Sequence, residues 1–185
     1  MKKIVLRYGL LGGLIVGSVI AGSTLYGKYT EHSEGSMVLG YASMILAFSL
    51  IFVALKQLRD KQYGGTISFG KAFKAAFLIT LVTSTIYVAV WLTCYYFFIP
   101  DFMEQYAATI LNKAKADGLS ATEMAKKTTE MQQYITMYKN PLFVILLTYM
   151  EILPVGLIVS LIAALIIKRK KNNTQPEASY ATTNA

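Results

Sequence analysis

Cysteine and histidine are almost missing: 185 residues contain one of each. The lone thiol, Cys94, can form no intramolecular disulfide and no metal cluster. Its place inside an apolar run makes it a small buried side chain. His32 stands beside Glu31 and Glu34 in a short polar stretch, and one imidazole between two acids reads as a solvated loop rather than a metal centre. The chain has no His-Glu-x-x-His, no glycine-rich phosphate loop ahead of Lys-Ser/Thr and no Gly-x-Ser-x-Gly. No catalytic residue, metal or cofactor is therefore assigned, and the chain is not expected to be an enzyme. Charge is scarce as well, at 15% of residues against 55% hydrophobic. That balance excludes an ordinary soluble domain.

What is present is four long apolar runs: Tyr8–Tyr26, Met37–Leu55, Ala75–Ile99 and Pro141–Ile167. A helix needs roughly 20 apolar residues to cover a ~30 Å hydrocarbon core. The expectation is an all-α membrane protein, a four-transmembrane-helix bundle. It is read as one membrane domain over 1–171, with spans at about 8–26, 37–55, 72–99 and 141–167. The polar, aperiodic tail 172–185 is expected to be disordered. The net charge of +8 comes from basic residues beside the runs, so lipid headgroups rather than nucleic acid are the expected partner.

The chain starts with Lys2, Lys3 and Arg7 before its first run. Basic start, apolar stretch and Val19-Ile20-Ala21 resemble a cleavable signal peptide. An uncleaved first helix is the preferred reading, because the run continues to Tyr26 and carries Gly9, Gly13, Gly17 and Ala21 at a spacing of four. Such residues form one flat face for close helix approach, either inside this chain or in a homo-oligomer. Gly64-Gly65 predicts a turn after the second run, with Ser68 as N-cap of the third helix. Phe69 and Phe73 then share a face, while Lys71 and Lys74 snorkel to headgroups. Trp91, Tyr95, Tyr96, Phe97 and Phe98 crowd the far end of the third span, as an interfacial belt does.

The stretch 100–140 has helical pattern. Met103, Tyr106, Ala107, Ile110, Leu111 and Ala114 form one stripe, and Met124, Thr128, Met131, Ile135 and Tyr138 a second. Asp117-Gly118 separates them, and Ser120 to Glu123 has capping-box form. An α-hairpin between helices 3 and 4 is predicted, a candidate partner-binding module. With the N-terminus inside, twelve basic residues fall on the inner side, crowding the span ends, against six on the outer side. The positive-inside rule then puts both termini in the cytoplasm, the hairpin outside and the protein in the cell inner membrane.

One ionisable residue interrupts the last span. Glu151 lies about 15 Å below its outer end, counted from Pro141 at 1.5 Å per residue. An acid at that depth needs a partner. Counting to the same depth elsewhere picks Tyr87 in span three, Ser49 in span two and Ser18 in span one as hydrogen-bond donors. Pro154 lacks an N–H and frees the carbonyl of Met150, beside the acid. Glu151, Tyr87, Ser49 and Pro154 make a candidate intramembrane polar site, suited either to a structural hydrogen bond or to a proton relay.

Several stretches resemble a bacterial membrane family known as domain of unknown function 4199. They are Tyr8-Gly9-Leu10 after the basic start, Gly40 to Ser49, Gly64-Gly65 leading to Ser68–Lys74, Pro100 to Tyr106, Met137 to Phe143, and Glu151 to Leu157. They span nearly the whole chain and are helix ends rather than chemistry. The resemblance implies a four-helix integral membrane protein and supplies no activity. Two roles follow from the residues: an accessory or assembly protein acting on a membrane-protein partner or on its own copies through the glycine face and the hairpin, or a small oligomeric transporter or proton-coupled carrier using Glu151.

Overall fold

A computed structural model describes residues 1–29 and 37–168. His32 with Glu31 and Glu34, the basic residues Arg169 to Lys171 and the tail 172–185 lie outside the described residues. Among the described residues six α-helices follow one another: α1 Lys2–Tyr29, α2 Met37–Gln62, α3 Phe69–Thr93, α4 Phe102–Ala116, α5 Ala121–Tyr138 and α6 Pro141–Ile167. Four segments are long and apolar enough to cross a membrane: Lys2–Gly27, Val38–Gln62, Phe69–Phe98 and Pro141–Ile167. The all-α, four-span bundle expected from the apolar runs is the architecture found.

The helices outrun the apolar stretches that announced them. α1 starts at Lys2 and α2 continues to Gln62, because lysine, arginine and glutamine are good helix formers and can reach past the hydrocarbon. α2 stops where Gly64 and Gly65 take φ values of 59° and 85°, a left-handed backbone that glycine adopts without strain. Ser68 occupies the N-cap position of α3, but its side chain makes no capping bond. At the other end α3 passes into a π-helical segment, Cys94–Phe98. The widened turn leaves Cys94 and Tyr95 buried while Tyr96, Phe97 and Phe98 are exposed. Periodicity alone did not show this change of pitch.

α1 packs on α2 and α3, and α6 packs on the same two helices from the other side. Around the bundle the order is therefore α1, α2, α6, α3. The α1–α3 contact is a ridge in a groove. A Cβ on Gly9 would stand 2.7 Å from Val82, one on Gly13 would strike Ile86, and one on Gly17 would lie 3.2 Å from Val90. Both sets advance by four, so the two helices run parallel and the branched side chains of α3 fill the channel left by the glycines. Ala21, the last small residue in that series, is half-buried. The core between the helices is filled by Val16, Met44, Phe48, Ile51, Leu55, Leu58, Ile79 and Ile152, all essentially inaccessible.

The stretch between spans three and four holds two helices, α4 and α5, packed on each other. Met103, Ala107 and Ala114 are buried from one stripe and Met131 from the other. Gly118, at φ 74°, closes α4. Its N–H donates to Lys115 O at 3.1 Å and the Leu119 N–H to Ala114 O at 3.2 Å, the paired bonds of a glycine-terminated helix. Ser120 and Glu123 form a reciprocal capping box at the start of α5.

Candidate functional site

α6 begins cleanly. Asn140 Oδ1 accepts from the Leu142 N–H at 3.0 Å, and Pro141 opens the helix where its missing N–H costs nothing. The helix then runs unbroken through Pro154 to Ile167. Val144, Thr148, Ile152, Gly156 and Ser160 are buried at steps of four. Glu151 and Pro154 lie off that stripe and are exposed on the flank of the bundle. Around them are exposed apolar side chains, among them Leu147, Met150 and Ile158.

The Tyr87 side chain of α3 stands near the Glu151 carboxyl. Tyr41 of α2 stands near the same hydroxyl. Tyr138, at the end of α5 and outside the spans, is pushed up to about 12 by burial and then by the Glu151 charge. Side chains on a helix lean toward its N-terminus. For Glu151 that lean carries the carboxyl back toward the hairpin end, which explains how a residue ten positions into α6 acts on a tyrosine that precedes the helix. Tyr138 is tied in turn to the end of α3. The Tyr95 hydroxyl donates to Tyr138 O at 3.4 Å, and the two rings meet edge to face at 5.8 Å.

Ser49 and Ser18 do not join this site. Ser49 is exposed and donates to Leu46 O of its own helix at 2.6 Å. Ser18 is exposed on α1. Counting depth from span ends failed because the helix ends are not level. Phe48 of α2 lies against Gly156 of α6, and the two helices run the same way, so the α2 residue level with Glu151 is Ser43. That serine is buried, and it donates to Gly40 O at 2.7 Å. On α1, the pairing of Gly13 with Ile86 brings Leu14, not Ser18, level with Tyr87.

A second polar feature was not singled out by the sequence. α3 and α6 meet along a seam of small and hydroxyl side chains. A Cβ on Gly156 would collide with Thr80 and with the Phe48 ring. Thr80 Oγ1 donates to Gly156 O at 3.3 Å and lies 2.9 Å from Ser160 Oγ, so Ser160 is the donor of that second bond. Ser84, one turn along α3, is fully buried and its Oγ has no hydrogen-bond partner among the described residues. Toward α1, Thr83 Oγ1 donates to Gly9 O at 3.1 Å. The spacing of four between Thr80 and Ser84, and between Gly156 and Ser160, was the available signal; it was hidden because hydroxyls on an apolar helix also satisfy their own backbone.

The geometry defines a multi-pass, all-helical membrane protein with one carboxyl on the flank of a closed bundle. The profile of a family described as protein of unknown function (DUF4199) matches residues 7–169, and the chain belongs to that family. No curated protein and no solved structure matches it.

Proposed function

We propose that the protein is an accessory or assembly protein of the cell inner membrane, and that the α6 flank around Glu151 is where a partner helix or a second copy engages. The observation that carries this reading is the placement of Glu151. It is exposed at membrane depth among apolar side chains, while the bundle interior is packed solid with side chains. An acid facing lipid is costly, and a neighbouring helix bearing a donor or cation removes that cost. The glycine face of α1 is occupied by α3, so assembly through Gly9, Gly13 and Gly17 is not part of the proposal. Orientation follows from charge. The end of the bundle shared by Lys2, Gln62, Phe69 and Lys168 is rich in lysine and arginine, whereas the hairpin balances its five lysines with five acids. Both termini are then cytoplasmic and the hairpin lies outside.

The test is photo-crosslinking in membranes from a reactive residue placed at Ile158 on the α6 flank, with Leu10 on α1 as reference. A defined protein adduct from Ile158, weakened by Glu151→Leu, supports the reading. Adducts to lipid alone from both positions sink it. The nearness of Tyr87 to Glu151 favours a second reading, a proton-coupled carrier assembled from several copies. That reading requires proton uptake by reconstituted protein that Glu151→Gln abolishes; uptake unchanged in Glu151→Gln removes it.

A further inference from the structure

At the end of the bundle opposite the hairpin, α3 begins and α6 ends side by side. Phe69, Phe73 and Phe77 stack in sequence along α3, with ring centroids 5.8 and 6.2 Å apart and planes within 10° and 19° of parallel. They make an apolar strip that starts at the helix end and reaches about 12 Å along its axis. Phe69 is exposed, and Phe73 and Phe77 are half-buried. The Lys168 ammonium, at the end of α6, rests 6.0 Å from the centre of the Phe69 ring. Lys74 follows Phe73 on α3 and is exposed. Among the described residues, ion pairs join Arg59 to Asp60 and Lys127 to Glu130, and neither Lys74 nor Lys168 has a carboxylate within 4 Å. Gly70 shares the flank of Phe73, Lys74 and Phe77 by its position on the helix, and the space where its side chain would be is open.

A cation resting on an aromatic face is held in place without being neutralised. Lys168 of α6 and Lys74 of α3, neither beside a carboxylate, thus stand at the same end of the bundle as the open space at Gly70, beside the aromatic strip of α3. We propose that the surface where α3 begins and α6 ends binds one anionic phospholipid, its phosphate at Gly70 within reach of Lys74 and Lys168 and one acyl chain along Phe69, Phe73 and Phe77. The fit is of charge to charge at the interface and of chain to rings below it. Basic pockets between helices at such a level are the usual seats of anionic headgroups. The proposal is independent of the role given to Glu151.

The experiment uses the full chain, purified and delipidated in a neutral detergent, with thermal melting followed as dioleoylphosphatidylglycerol is titrated in. A rise in melting temperature with this lipid and none with dioleoylphosphatidylcholine is expected. Lys74→Gln with Lys168→Gln weakens binding about thirtyfold, at roughly fivefold per lysine, whereas Lys2→Gln with Lys3→Gln, at the same end on α1, leaves it within about twofold. Phe73→Ala weakens it too, and inorganic phosphate alone gives no shift. If the double variant does not fold, Lys168→Gln alone carries the test with an expected fivefold loss. Equal protection by phosphatidylcholine or by phosphate, or equal loss in the Lys2/Lys3 control, overturns the assignment.

Discussion

α3 has two working sides, and they are built on different principles. Toward α1 it presents Val82, Ile86 and Val90, which enter the channel above Gly9, Gly13 and Gly17. Shape does nearly all the work there, with Thr83 adding one hydrogen bond to the Gly9 carbonyl. Toward α6 it presents Thr80 and Ser84, with Tyr87 further along, and meets Gly156, Ser160 and finally Glu151. In lipid, apolar side chains gain nothing by hiding from their surroundings, so helices associate through tight packing or polar bonds. A contact made of shape tolerates no added volume. A contact made of hydroxyls accommodates a polar group that has no partner among the described residues, although at Gly156 it too is closed to added volume.

The sharpest way to break this contrast is to add volume. Gly13→Leu should destabilise the bundle by about 3 kcal/mol, because the new side chain meets Ile86 in a filled channel. The same change at Gly22, where a Cβ would meet nothing within 4 Å, should cost close to nothing. Thermal or denaturant unfolding in detergent reads both, and similar losses at the two sites would show that the α1–α3 groove is not tightly closed. Gly156→Ala should cost about 1 to 2 kcal/mol, since the methyl group collides with Thr80 and the Phe48 ring.

Smaller effects separate the hydroxyls. Ser160→Ala removes one bond to Thr80 and should cost about 0.6 kcal/mol, the ordinary worth of an interhelical hydrogen bond in a membrane. Ser84→Ala should instead stabilise, by about 1 kcal/mol, because it deletes a buried hydroxyl that has no partner. A loss of stability at Ser84 would mean that its Oγ is bonded after all. The weakest effect lies in the hairpin. The Ser120 hydroxyl, and then its N–H, hold the Glu123 carboxyl below the ordinary carboxylate range. The capping contribution is therefore complete above that range and is lost as the pH falls through the lowered value. Amide protection at the first turn of α5, corrected for the intrinsic pH dependence of exchange, should fall on acidification in the wild type and stay constant in Glu123→Gln.

The legibility of these regions in the sequence differed for the same physical reason. The glycine series in α1 was visible because glycine is rare enough on an apolar helix for its spacing to stand out, and its partner helix could be left unspecified. The capping box at Ser120 and Glu123 and the glycine stops at 64, 65 and 118 were visible because they are local. The α3–α6 seam was not, since serine and threonine bond their own backbone at many positions. Thr85, Thr93 and Thr148 each donate to the carbonyl four residues back. The partnership of Tyr87 with Glu151 followed from depth, but Ser49 and Ser18 did not, because depth counted from span ends assumes that all four helices start level. α2 and α6 are offset, and an offset is a property of packing that no single helix encodes.

The π-helical segment Cys94–Phe98 has a consequence for how the chain can change. One residue inserted into a spanning helix turns everything beyond it by about 100°, which would carry buried side chains to the lipid. A π turn confines such an insertion to a single loop of backbone. Its position after Val90, which lies against Gly17, means that the ridge against the α1 glycines keeps its register while the hairpin is re-aimed. Gain or loss of one residue between 94 and 98 is therefore a route by which related chains could swing α4 and α5 to a new direction and leave the four-helix bundle as it is.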